Sequence, residues 1–192
     1  MTLLQLIARA DERGLATSGV ACLDRLLPPP EAGGDPEPLR PLWAACESGA
    51  DWAARLDAVH AVLEGPAGSD ATAARVRALL GSAPRDFGAE PLRAWADACS
   101  VLALDVHREF DVPAGGGSGT SGHRDGGAAH AGPLAAGEVH RQTKILESLA
   151  ETTGAAGLRR ALDLSTEGRR VLRAVVSRRA RGRGRTGDAS LR

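Results

Sequence analysis

Aromatic side chains are scarce in this chain: among 192 residues there are no tyrosines, two phenylalanines and three tryptophans. Strands of β-sheets favour aromatic and β-branched residues, whereas the apolar content here comes largely from alanine, leucine and valine. A core of such side chains suits close-packed helices better than a sheet. The composition therefore predicts an all-α fold.

Cysteine is also rare, and Cys22, Cys46 and Cys99 lie far apart without a C-x-x-C spacing. This excludes a disulfide framework and a zinc ribbon, and the apolar neighbours of each cysteine predict a small buried side chain. The N-terminus lacks the basic region and cleavage-like site of a signal peptide, and no segment is apolar for long enough to span a membrane. We therefore expect a cytoplasmic protein that does not bind membranes.

Lysine is nearly absent, because Lys144 is the only one and every other basic side chain is an arginine. This bias suggests a GC-rich coding genome, which weakens arguments from arginine abundance alone. The overall charge is zero, yet residues 155–192 hold eleven arginines and three acidic residues, a net charge of +8. A basic end on an acidic body predicts attraction to an anionic partner or to the protein's own body.

Apolar residues recur at helical spacing along most of the chain. The pattern predicts a first helix from Thr2 to about Arg13, ended by Gly14, and a long helix from about Glu90 to Phe110. The long helix keeps one apolar face through five turns. It is therefore expected to form the spine of the core.

The end of the chain predicts two helices. Leu158 and Leu162 indicate a short one, and Ser165 or Thr166 is expected to cap a last helix that leaves the core by about Arg178. Together the segments predict a bundle of six to nine helices. The expected organisation is a helical core over 1–110 with a proline-rich connector at 28–41, a flexible glycine-rich linker over 111–137, helices over 138–180 that pack on the core, and a disordered basic tail over 181–192.

Histidines flank the linker or lie within it, and they raise the question of a metal site. They are His107, His123, His130 and His140. No two of them stand three or four residues apart, the spacing that holds two zinc ligands on one helix face. The linker also lacks the preceding strand and the Gly-Lys-Ser/Thr of a phosphate-binding loop. We therefore predict no metal and no cofactor.

Arg55 and His60, in the stretch RLDAVH, form an R-x4-H pattern. The pattern resembles the motif of the HEPN family, all-helical ribonucleases and RNA-binding proteins in which an arginine and a histidine act together on the scissile phosphate in a dimer. The resemblance covers six residues, and Leu56 stands where the family prefers a polar residue. It implies a ribonuclease, whereas the simpler interpretation makes Arg55 a solvated side chain and His60 a residue on the flank of a helix.

The arginine-rich C-terminus is the strongest functional candidate. Its arginines can contact phosphates without reading base sequence, and their alternation with glycine resembles RGG-type segments that bind RNA. The candidate anion-binding residues are Arg178, Arg179, Arg181, Arg183 and Arg185. A solubilising tail, or one paired with acidic residues of the body, is the alternative.

Three functions follow from these patterns, in a stated order. The first is a non-catalytic protein-interaction module that binds an unidentified protein partner or a second copy of itself. The second is a nucleic-acid-associated protein that uses its basic tail. The third is an HEPN-like ribonuclease that uses Arg55 and His60.

Overall fold

The computed structural model describes residues 1–29, 35–63, 70–111 and 132–188, with side chains described as far as Arg181. Across these ranges the chain forms eight α-helices and no strand, which confirms the predicted all-α fold and the predicted number of helices. The helices are α1 (Leu3–Arg9), α2 (Glu12–Leu26), α3 (Arg40–Ala45), α4 (Trp52–Leu63), α5 (Ala71–Gly81), α6 (Ala89–Glu109), α7 (Pro133–Glu151) and α8 (Ala155–Asp188). None of the described helices combines the length and the apolar character that a membrane span requires.

The first two helices meet at Asp11. Helix α1 begins as predicted, because the Thr2 hydroxyl accepts the backbone N–H of Gln5 and the Gln5 side chain accepts the N–H of Thr2. The predicted end at Gly14 is wrong, since Gly14 lies inside α2. The Asp11 carboxylate caps α2 by accepting the N–H of Gly14 at 2.8 Å, so the chain turns at Ala10 instead.

Helix α2 lies at the centre of the molecule, and every residue from Gly14 to Leu26 is buried. The predicted spine, α6, packs directly against it, and α7 and α8 cover its other sides. Gly19 makes the close approach to α6 possible, because a Cβ at this position would lie 2.4 Å from the ring of Trp95. Two helices therefore share the role that the sequence predicts for α6 alone.

Helix α7 begins at Pro133, which lies within the predicted linker at 111–137. Asp111, just beyond the end of α6, caps this helix from outside it. Its carboxylate accepts the backbone N–H groups of Leu134 at 2.8 Å and Ala135 at 3.0 Å. The end of α6 and the start of α7 are therefore held together.

Helix α8 is continuous from Ala155 to Asp188, so the predicted break before Ser165 or Thr166 is wrong. The Ser165 hydroxyl lies 3.0 Å from a carboxylate oxygen of Asp24 and does not serve as a helix cap. The helix reaches into the predicted basic tail at 181–192, and residues 189–192 lie outside the described part of the chain.

Candidate nucleic-acid interface

The arginines of α8 fall into two groups according to what they contact. Two of them hold the helix to α2. Arg169 forms an ion pair of 3.1 Å with the buried carboxylate of Asp24, and Arg173 donates to the carbonyl oxygen of Pro28 at 3.5 Å. These two guanidinium groups are therefore engaged by the protein itself.

Arg179, one of the predicted anion-binding residues, binds the C-terminal end of α6. It donates to the carbonyl oxygen of Glu109 at 3.2 Å and to that of Phe110 at 2.7 Å. Its guanidinium carbon also lies 5.4 Å from the centre of the Phe110 ring. A cation at this position satisfies the last carbonyl groups of a helix and complements its dipole. Arg179 thus fastens α8 to the body through backbone carbonyls.

Three further arginines of α8 are exposed on one side of the helix: Arg170, Arg178 and Arg181. At 3.6 residues per turn they fall within about 80° of the helix circumference. We call these three residues the basic face. None of them forms an ion pair with another residue that the structure describes.

The remaining predicted anion-binding residues are Arg183 and Arg185, whose side chains lie outside the described part of the chain. By position in the helix, Arg185 falls on the same arc as the basic face, and Arg183 falls on the opposite side. The sequence predicted one undivided group of arginines. The helical backbone separates that group by direction, and it adds Arg170.

Arg55 and His60 have separate surroundings. Arg55 donates to the carbonyl oxygen of Pro41 at 3.4 Å and lies 3.9 Å from a carboxylate oxygen of Asp51. His60 instead lines a shallow pocket between α4 and α5, beside Arg77. No contact between Arg55 and His60 is found among the residues described. A joint role of the two in RNA cleavage stays a prediction.

The four histidines considered for a metal site differ in their surroundings. His107 is buried, His140 is exposed, and His123 and His130 lie outside the described residues. Within the described ranges no group of three or more histidine, cysteine or acidic side chains is arranged to hold a metal ion.

A cluster of buried polar side chains lies between α2, α6 and α7, and no motif predicted it. Arg25 and Glu138 are both fully buried; Arg25 Nε donates to the two carboxylate oxygens at 3.2 and 3.1 Å, and Nη2 donates to Oε1. Gln142 donates to the same carboxylate at 2.9 Å and accepts from the Ser100 hydroxyl at 2.6 Å. His107 Nε2 lies 3.5 Å from the other carboxylate oxygen.

The electrostatics of this cluster favour an ionised pair beside a neutral histidine. Burial acts to raise the pKa of Glu138, but the positive charge of Arg25 outweighs it and the pKa is lowered. Burial also acts to lower the pKa of Arg25, and the charge of Glu138 outweighs it and raises the pKa. The pKa of His107 is lowered by burial, which Glu138 offsets only in part. Since the cluster is sealed from solvent, it joins helices and does not meet a substrate.

Comparisons of the chain with protein-family models, with curated proteins and with solved structures find no match. No relative therefore lends a function to this protein. Of the arrangements that sequence motifs predicted, the basic face is the one whose side chains are exposed, close together and of one charge.

Proposed function

We propose that the protein is a non-catalytic binding module, and that nucleic acid is the partner its basic face accepts. The observation that carries this proposal is the exposure of Arg170, Arg178 and Arg181 on one side of a helix that other arginines fasten to the body. Arginine contacts to phosphate oxygens give affinity without sequence readout. The expected partner is therefore RNA or DNA of any sequence.

The way in which α8 is held supports the proposal further. Arg169 and Arg179 are fixed by contacts to α2 and to the end of α6, and these contacts lie on either side of the basic face in sequence. The exposed arginines therefore project from a rigid helix, so binding does not have to order the backbone. From Arg170 to Arg181 the helix rises about 16 Å, which is long enough to meet several phosphates of a duplex.

A protein partner is the other form of this module, and a second copy of the chain is the simplest such partner. Residues 1–154 carry a net charge of −8, which balances the +8 of the C-terminal segment. The basic face of one molecule could therefore bind the acidic body of another. This alternative makes a different prediction, because it requires self-association and no nucleic acid.

Binding of a fluorescent RNA and a fluorescent DNA duplex, measured by anisotropy with the full chain, tests the proposal. The variant Arg170→Gln/Arg178→Gln/Arg181→Gln is expected to bind at least about tenfold more weakly, because it loses three phosphate contacts. The matched control Arg9→Gln/Arg40→Gln/Arg159→Gln removes the same charge from exposed positions outside the basic face, and it should retain most of the affinity. Equal weakening by the two variants would show that net charge alone matters, which contradicts a defined face.

Sedimentation of the full chain without nucleic acid separates the two kinds of partner. A monomer that binds RNA or DNA supports the proposal. A dimer that dissociates in the basic-face variant and does not bind nucleic acid would overturn it in favour of self-association.

A further inference from the structure

A cleft of about 480 Å³ lies between the C-terminal end of α2, the last turns of α6 and the middle of α8. Its walls are mainly apolar and include Leu26, Val106, Phe110, Leu172 and Val176. Clefts of this size are typical of sites that bind small molecules, which combine apolar walls with a few polar groups. The polar groups on this cleft indicate what it would bind.

Arg25 lines this cleft although only 1% of its surface is exposed, so it lies at the base. Its Nε and Nη2 donate to Glu138. Its Nη1 is buried and has no hydrogen-bond partner within the described part of the chain. A buried donor on a charged group is costly to leave unpaired, so this atom is suited to receive an acceptor from a ligand.

Arg173 lines the same cleft from α8. Its Nε is also buried and lacks a hydrogen-bond partner in the ranges that the structure describes. The cleft has one carboxylate, that of Asp70, which is exposed at the rim and accepts the backbone N–H groups of Thr72 and Ala73. Two guanidinium groups with unused donors thus face an apolar space whose one acidic group caps a helix.

We propose that the cleft binds a small carboxylate with an apolar tail, of the class of medium-chain fatty acids. The carboxylate accepts hydrogen bonds from Arg25 Nη1 and Arg173 Nε, and the tail lies against Leu172 and Val176. The cleft does not include the basic face, so this site goes beyond the proposed function. Failure of one proposal leaves the other in place.

Isothermal titration of the full chain with decanoate, and with decanol as the uncharged analogue, tests the chemistry of the site. Decanoate is expected to bind with a stoichiometry of one, and decanol at least about tenfold more weakly, because it cannot form charge-assisted hydrogen bonds with the arginines. Equal binding of the two compounds would contradict a carboxylate site, and so would the absence of decanoate binding.

Variants of α8 test the location. Val176 is 43% exposed, and Val176→Trp should fill the cleft and weaken decanoate binding by about tenfold without affecting the fold. Leu162→Trp places the same side chain at a position of α8 that is 40% exposed and lies outside the cleft, and it should bind like the unmodified protein. Unchanged binding by Val176→Trp, or equal loss in both variants, would overturn the assignment.

The arginine that can be replaced safely is Arg173, because Arg25 also holds Glu138 in the core. Arg173→Gln is expected to weaken decanoate several-fold more than decanol, whereas Arg170→Gln, outside the cleft, should change neither. Identical decanoate affinity in Arg173→Gln and the unmodified protein would contradict the proposed carboxylate contact. Circular dichroism of each variant verifies that the helices are intact.

Discussion

Arg25 and Glu138 are 113 residues apart in sequence and meet in the core as a fully buried ion pair. Taking two charges out of water costs several kcal/mol per ion, and their attraction repays this only when both are present and hydrogen-bonded. Gln142 and His107 surround the same carboxylate. The pair therefore matters less for net stability than for joining α2 and α7 in one arrangement.

Removing one partner of the pair leaves the other charge buried and uncompensated. We expect Glu138→Leu to lower the free energy of unfolding by about 3–5 kcal/mol, and the double variant Arg25→Met/Glu138→Leu to lose much less. Urea denaturation measures both. Asp57→Asn, which breaks the exposed pair of Asp57 with Arg85, is the matched control and should change stability little. A double variant as unstable as the sum of its singles would contradict the coupling.

The buried His107 predicts how stability responds to acid. Burial lowers the pKa of His107 below its usual 6.5, so on acidification the unfolded chain takes up a proton that the folded chain resists. Stability due to this residue is therefore present above pH 6.5 and is lost as the pH falls below it. The lowered pKa of Glu138 acts in the same direction, but only below its usual 4.5.

Urea unfolding of the unmodified protein and of His107→Gln, at pH values between 7 and 5, isolates this contribution. The unmodified protein should lose more stability over this interval than the variant, because the contributions of the carboxylates are common to both. His140→Gln, at an exposed position of α7, serves as the control. Parallel losses in the unmodified protein and His107→Gln would refute the account of this residue.

Single residues were predicted well where one property decides their place. The three cysteines are free and buried, as their apolar neighbours indicated. Arg25 and Glu138 were missed, since a lone charged residue in a helix normally faces water and only its distant partner explains its burial. The spacing of charges along one helix does not carry that information.

At the scale of elements, α8 shows where local signals fail. Ser165, Thr166 and Gly168 are residues that favour helix ends, and they predicted a break. In the fold, Ser165 hydrogen-bonds Asp24, and Gly168 lies against Arg25, where a Cβ would stand 2.4 Å from Arg25 Cδ. These residues are used for close packing of α8 on α2, so tertiary contacts override the local preference.

Gly168→Ala tests this explanation, because helix propensity and packing predict opposite signs. Propensity alone would stabilise the protein by about 1 kcal/mol, whereas the clash with Arg25 is expected to give a net loss of about 1–3 kcal/mol. Gly81→Ala is the control, since a Cβ at Gly81 meets no atom within 4 Å in the described structure. Thermal or urea unfolding decides the sign, and a more stable Gly168→Ala would contradict the packing argument.

At the scale of the whole molecule, composition predicted the helical class and the number of helices, because both depend on averages over many residues. The charge asymmetry was also visible in the sequence. Its consequence was not, since which arginines are engaged depends on the direction in which each leaves a helix that the sequence predicted to be broken. Arg179 binds the end of α6 while Arg178 and Arg181 are exposed.

The dependence of nucleic-acid affinity on salt tests the central claim most directly. Each phosphate contact on duplex DNA contributes about 0.9 to the slope of log affinity against log salt concentration. The account predicts that Arg170→Gln/Arg178→Gln/Arg181→Gln reduces the slope of the full chain by about 3, whereas Arg179→Gln changes it less. An identical slope in the triple variant and the unmodified protein would show that the basic face does not contact phosphates.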